Sequence, residues 1–258
     1  MKIFLSAIES NTKETLYMID KLEKQGLAMK YNLMSYYAIR TKSAYDMACY
    51  IRDHSKEIMI DSGAHSFQFG AKVDFNEYTK QYAEFIKNFD RPNVIGFFEM
   101  DVDNVLGYEK VLELRRILEK VSDKIIPVWH KNRGVNEFKK MCQQYEGRTI
   151  SITGFKNTDI KDEQYLMFLK YAKEHNCRVH CLGMTRKAVL DKVPFDYVDS
   201  SSWKQNVIYG HMNGAPKGKK ITKETSRKCR ADLLAESYKA AMKMQEHYYM
   251  KWRKVCND

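Results

Sequence analysis

Three aspartates stand directly behind short apolar runs: Asp61 after Ile58, Met59 and Ile60, Asp101 at the end of FFEMD, and Asp199 after Tyr197 and Val198. A carboxylate so placed can shuttle a proton, attack an electron-poor sugar carbon, or offer oxygen to a divalent cation. Gathering several costs repulsion and desolvation, which a fold tolerates mainly where one of these tasks requires it. A single aspartate behind a strand is more often the cap of the next helix than a catalyst. Three behind separate strands point to one shared mouth. Ser62, Gly63, Glu99, Asp103, Trp129, His130, Gly154, Gly183 and Ser200 stand at comparable positions. Asp61, Asp101, Asp103 and His130 also have the donor atoms of a cation site, as in a metal-dependent hydrolase.

The elements that would carry these residues alternate. Eight β-type apolar runs occur at Ile3–Ala7, Tyr31–Tyr36, Glu57–Ile60, Val94–Met100, Ile125–Trp129, Thr149–Thr153, Arg178–Leu182 and Phe195–Val198. Helical spacing fills the intervals at Thr12–Gln25, Ser43–Asp53, Phe75–Asn88, Leu106–Lys120, Val135–Tyr145, Asp162–His175 and Thr185–Lys192, with Ser43 and Asp162 as capping residues. Such alternation forces parallel strands, and a count of eight favours closure into a (β/α)8 TIM barrel over an open sheet. No glycine-rich phosphate loop follows the first strand, which argues against the nucleotide-binding open sheets. The barrel is expected over residues 1–203. A connector with Gly210, Gly214, Pro216 and Gly218 then leads to a helical extension over Thr222–Lys254, within residues 204–258, packed on the barrel.

The 258 residues are 44% hydrophobic and 12% aromatic, enough for a sizeable core, and four prolines and twelve glycines leave no room for a disordered linker. No apolar run approaches the length that crosses a bilayer, and Met1–Ser10 is too short for a secretory leader, so a cytoplasmic protein without membrane partners is expected. The six scattered cysteines are expected as free thiols. In the CxxxC of Cys177 and Cys181, flanked by His175 and His180, a strand would turn side chains to different faces, which favours structural thiols over a metal site. A net charge of +11 makes a polyanion the first candidate partner. Within KGKKITKETSRKCR, only Glu224 opposes Lys217, Lys219, Lys220, Lys223, Arg227, Lys228 and Arg230. That segment reads either as a grip on a nucleic-acid backbone or as a solvated stretch.

Four stretches occur in order: DSGAHSFQ over Asp61–Gln68, FFEMD ending at Asp101, LGMT over Leu182–Thr185, and FDYVDSSSW over Phe195–Trp203. Together they resemble the tRNA-guanine transglycosylases and their relatives that modify DNA with 7-deazaguanines. The first is similar to the family's DSGGFQ with a short insertion, and the second to its strand-four segment. LGMT resembles its Gly-x-Gly-Thr turn, and FDYVDSSSW the Asp-x-x-Asp-Ser pattern around the nucleophile in the archaeal branch. The likeness covers about residues 1–203 and rests on the order of the motifs.

The resemblance implies exchange of guanine for a 7-deazaguanine-type base in DNA or tRNA through a covalent aspartyl-glycosyl intermediate. It makes Asp199 the nucleophile, with Asp196 as the fallback if the match shifts, Asp61 the general acid and base, and Asp101 the reader of the purine edge. Ser62, Phe67, Gln68, Trp129, His130, Gly154 and Phe155 would line the base, with no cofactor. The partners implied are nucleic acid and a free guanine or 7-deazaguanine base, and pairing into a homodimer stays open. The family's CxCxxC zinc site beyond the barrel is missing, since Cys229 and Cys256 stand alone, so no structural zinc is expected. This likens the chain to short, phage-type or DNA-modifying relatives, with the basic segment in place of the zinc subdomain. The family's strand-five Gln is replaced, which leaves the identity of the base open. A non-catalytic nucleic-acid-binding barrel is the remaining alternative, against which the retention of all three aspartates speaks.

Overall fold

The computed structural model describes residues 1–10, 12–67, 73–153, 160–208 and 230–256, and in it every expected apolar run contributes to a strand. The strands are β1 (Lys2–Ser6), β2 (Met29–Ser35), β3 (Ser55–Asp61), β4 (Val94–Phe98), β5 (Ile125–Ile126), β6 (Val128–Trp129), β7 (Thr149–Thr153), β8 (Arg178–Leu182) and β9 (Tyr197–Ser200). All neighbours pair in parallel, in the order β5-β4-β3-β2-β1-β9-β8-β7-β6. The two outermost strands are halves of one run, split at Pro127, which has no N–H to give a ladder. Because the chain itself joins them, the sheet forms a nearly closed barrel of the (β/α)8 kind. Two bonds mend the break: Ser151 N donates to the Pro127 carbonyl at 2.8 Å, and Val128 N to Glu99 Oε1 at 2.6 Å.

Helices flank the barrel: α1 (Thr12–Glu23), α2 (Tyr36–Ile39), α3 (Lys42–Asp53), α4 (Phe75–Phe89), α5 (Asp103–Leu106), α6 (Tyr108–Glu119), α7 (Gly134–Gln144), α8 (Asp162–Glu174), α9 (Lys187–Leu190), α10 (Ser202–Ile208) and α11 (Arg230–Trp252). The single helix expected over Leu106–Lys120 breaks at Gly107, whose φ of 81° lies outside helical space. Ser43 and Asp162 fall inside first turns rather than at caps; Asp74 is a true cap, accepting from Asn76 N and Glu77 N ahead of α4. Of the expected C-terminal helix, Arg230–Trp252 is seen, and Thr222–Cys229 lie outside the described residues. It packs on α1, α10, β1 and β2, where Gln245 Nε2 donates to the Ile3 and Tyr31 carbonyls and Tyr238 OH to Asn32 Oδ1 at 2.7 Å.

Side-chain alternation along the strands builds two cores. Phe4, Tyr31, Leu33, Met59, Phe98, Ile126, Val128 and Tyr197 fill the barrel, while Leu5, Ile60, Phe97, Trp129, Cys181 and Val198 pack outward with the larger cluster that the helices cover. Among the described residues the cysteines are free thiols, and no helix is long and apolar enough to cross a membrane.

Candidate active site

The inward parity of β3 and β9, set by Met59 and Tyr197, brings Asp61 and Asp199 to the interior side at the C-terminal ends of their strands. In β1 the same parity carries Phe4 to Ser6, whose hydroxyl donates to Asp199 Oδ2 at 3.0 Å. Each aspartate is also held by the N–H of a left-handed glycine. Gly63, at φ 78°, donates to Asp61 Oδ2 at 2.9 Å, and Gly183, at φ 61°, to Asp199 Oδ1 at 2.7 Å. A Cβ on Gly63 would meet that of Tyr37 at 2.4 Å, so the glycine of the DSG motif is required twice over.

Neither carboxylate is paired with a cation among the described residues. Burial pushes Asp61 up to about 6, helped by the charges of Asp199 and Asp101 and opposed by the Gly63 N–H. Asp199 is likewise raised by burial, against the Gly183 and Ser6 donors. Beside them, on the turn after β1, Glu9 is raised to about 7, chiefly by burial; its Oε1 accepts from Ser35 N at 3.3 Å, and its Oε2 is buried without a partner in the described structure. Lys204 lies near it, its ammonium donating to the Ala7 carbonyl at 2.8 Å and to that of Ser10, its affinity for protons lowered by burial to about 8.

The carboxylates behind β4 are neutralised instead. Asp101 Oδ1 lies 2.6 Å from His130 Nε2 and 3.5 Å from Arg133 Nη2, and Asp103 Oδ2 lies 3.0 Å from the same guanidinium nitrogen. Arg133 also donates to the Val128 carbonyl and lies over the Tyr108 ring at 4.2 Å. Although burial disfavours its charged form, the Asp101 hydrogen bond and charge hold His130 above its ordinary value. Ligand atoms of Asp101, Asp103 and His130 fall within 4.8 Å of one another, yet a cation there would have to displace the charge of Arg133.

Several expected site residues face elsewhere. Trp129 is outward by parity with inward Val128; it is 1% exposed, packs between Phe138 and Phe168, and donates from Nε1 to the Gly134 carbonyl. Phe67 is likewise buried, among Tyr37, Phe75 and Tyr78. Neither ring is free to stack on a base. Glu99 points out of the barrel into a doubly bonded pair with Arg115 and is structural. Asp196 precedes β9, at the opposite end of the barrel, bound to Lys173 Nζ at 2.6 Å and Val179 N at 2.7 Å, and is removed as a fallback nucleophile. Ser62 is wholly buried behind Asp61, its carbonyl accepting from Tyr78 OH. Arg230 begins α11, half-buried. Gln68, Gly154, Phe155, Lys217, Lys219, Lys220, Lys223, Arg227 and Lys228 lie outside the described residues.

Glu9, Lys204 and Arg133 escaped the sequence reading. Glu9 has a signal, since it follows the first strand by three residues; Arg133 and Lys204 sit in ordinary helical or turn contexts with nothing to mark them. No model of a known protein family matches the chain, and no curated protein matches it.

Proposed function

We propose that this chain exchanges guanine in a nucleic acid for a free guanine or 7-deazaguanine-type base, through a glycosyl ester on Asp199. The observation that carries the reading is the pair Asp199 and Asp61: two half-buried carboxylates at one mouth, without cationic partners among the described residues, one raised to about 6 where it can exchange protons near neutrality. Asp199 Oδ2 bonds to C1′ of the sugar as the bond from C1′ to N9 breaks, and the electron pair leaves with the base, which takes a proton from Asp61. The incoming base returns its N9 proton to Asp61, its N9 attacks C1′, and the ester bond breaks to restore the Asp199 carboxylate. Asp101, fixed by His130 and Arg133, keeps its remaining acceptor capacity for N–H groups on the purine edge. The basic segment Lys217–Arg230 is assigned to phosphates from its sequence alone.

A second reading, metal-dependent hydrolysis, is favoured by the clustering of Asp101, Asp103 and His130. Metal analysis of the purified protein, with activity measured after chelation, separates the two. The transglycosylase reading is tested by incubating the protein with labelled guanine and either tRNA or duplex DNA. Label should enter one polymer and not with Asp199→Asn; incorporation into neither overturns it.

A further inference from the structure

Inside the barrel, directly under Asp199, stands a histidine that the chemistry above does not use. His180, on β8, is wholly buried with its ring edge-on to Phe98 at 4.9 Å. Neither ring nitrogen has a hydrogen-bond partner in the described structure, and Nε2 lies 3.7 Å from Asp199 Oδ1. Around it the barrel is filled by Phe4, Phe98, Val128 and Tyr197, so an apolar side chain would satisfy packing without leaving polar atoms unpaired. A residue kept at that cost, aimed at the proposed nucleophile from the dry side, has a task.

We propose that His180 is a positioning residue for Asp199, its ring holding Oδ1 from below so that Oδ2 is the oxygen presented to the substrate. The inference deepens the transglycosylase reading and rests on it for what that oxygen attacks. Burial lowers the ring to about 3, so it stays neutral at working pH with a single N–H, and the carboxylate charge favours the tautomer that directs this N–H toward Oδ1. At 3.7 Å the contact is longer than a hydrogen bond, and the ring acts as an oriented dipole. Oδ1 thus has the fixed Gly183 N–H and the imidazole, whereas Oδ2 accepts from the Ser6 hydroxyl, which can rotate away. When the ester breaks and charge returns to the carboxylate, the same N–H stabilises it. The other ionisable group facing Asp199 is Asp61 across the mouth; the Cys181 thiol lies on the outer face of β8, where burial and then the Asp199 charge push it far up.

The test uses His180→Phe, which keeps shape in an apolar interior, and His180→Gln, which keeps an N–H donor. Ionisation of Asp199 is followed by carbon-13 NMR of aspartate carboxyls, assigned with Asp199→Asn, and needs no turnover. In the Phe variant Asp199 should titrate at higher pH than in the unsubstituted protein, and the acid limb of kcat should move up with it. Exchange of labelled guanine should lose about 10- to 100-fold in kcat with KM for the base within about twofold, and Gln should restore most of the loss. An unchanged Asp199 titration in a folded Phe variant, or a loss shared by kcat and KM that Gln does not rescue, would make His180 a core residue and overturn the proposal. If the unsubstituted protein labels neither polymer yet the Asp199 titration still responds to His180, the transglycosylase reading fails while the hold on Asp199 stands.

Discussion

On the arc of the mouth from β9 through β1 to β3, Asp199, Asp61 and Glu9 rest on backbone N–H groups and one hydroxyl; on the arc from β4 to β6, Asp101 and Asp103 rest on His130 and Arg133. Both arcs are rich in carboxylates, but among the described residues only the second pairs them directly with cationic side chains; Lys204, near Glu9, gives its N–H groups to backbone carbonyls. A carboxylate beside a guanidinium is fixed in place and in charge, which suits recognition of a ligand's N–H groups. One held by neutral donors in a dry setting can gain a proton or a covalent bond without breaking an ion pair. In the proposed exchange, that difference assigns reaction to the first arc and orientation to the second.

The largest effect should come from crossing this division at Asp199. Asp199→Asn should lower exchange by at least about 10³-fold while leaving the fold and base binding in place, and no sugar adduct should be trapped by mass spectrometry. Asp101→Asn should instead raise KM for the base and admit other purines, because donors on the base lose their acceptor. Normal KM and base choice in the Asp101→Asn variant, or continued turnover by Asp199→Asn, would erase the distinction between the arcs.

Asp61→Asn comes next, and its effects on activity and stability have opposite signs. Turnover should fall by about 10²- to 10⁴-fold with loss of the proton shuttle. Because the folded value of about 6 lies above the unfolded 3.8, the ionised form penalises the fold above pH 6, and the penalty fades as pH falls toward 4. The Asn variant should therefore be more stable at pH 7, by about 3 kcal/mol at most, with the gap closing toward pH 4. Melting curves across that window check the sign; a variant less stable at neutral pH would mean that the charge is compensated after all.

Much of this arrangement is legible in the sequence, for a reason visible in the strands. Alternation in Met59, Ile60, Asp61 and in Tyr197, Val198, Asp199 fixes both aspartates on the interior face once β3 and β9 are recognised. At β6 it is position that misleads: Trp129 ends its run and so reads as a residue of the mouth, although alternation with inward Ile126 and Val128 turns it toward the helices. Ending the last strand at Val198 leaves Asp199 just outside β9, whereas the ladder with β1 pairs Asp199 with Phe4. The cations are illegible, since Arg133 reaches Asp103 across thirty residues of sequence and Lys204, behind β9 at the same mouth, reaches the turn after β1 from 197 residues away in the chain. Which carboxylates carry a partner is a tertiary fact, and it is what divides the two arcs.

Arg133→Met probes the oriented arc through stability. The guanidinium is 5% exposed and Asp103 7%, so removing the cation leaves a buried carboxylate uncompensated, at a cost of about 3 kcal/mol or more. Denaturant unfolding should show that loss, and adding Asp103→Leu should recover part of it, since the double variant buries no lone charge. A single variant as stable as the parent would show that water already screens Asp103, and the second arc would then be no different from the first.

The smallest effect expected is at His130, and it sharpens the comparison by pH. Its folded value lies above the unfolded 6.5, against burial, because of the Asp101 hydrogen bond and charge. The stability it contributes is therefore fully present below pH 6.5 and is lost as pH rises through the folded value. His130→Gln keeps a donor for Asp101 but cannot carry charge, so it should melt below the parent at pH 5.5 and converge on it in alkaline buffer, a difference of about 4 °C or less for a chain of this size. This window lies above that of Asp61, so scans of the two variants across pH 4–9 place the response of each arc in its own range. Equal gaps between parent and His130→Gln at pH 5.5 and pH 9 would mean that no charge-assisted bond joins His130 to Asp101, and the fixing of Asp101 would fall to Arg133 alone.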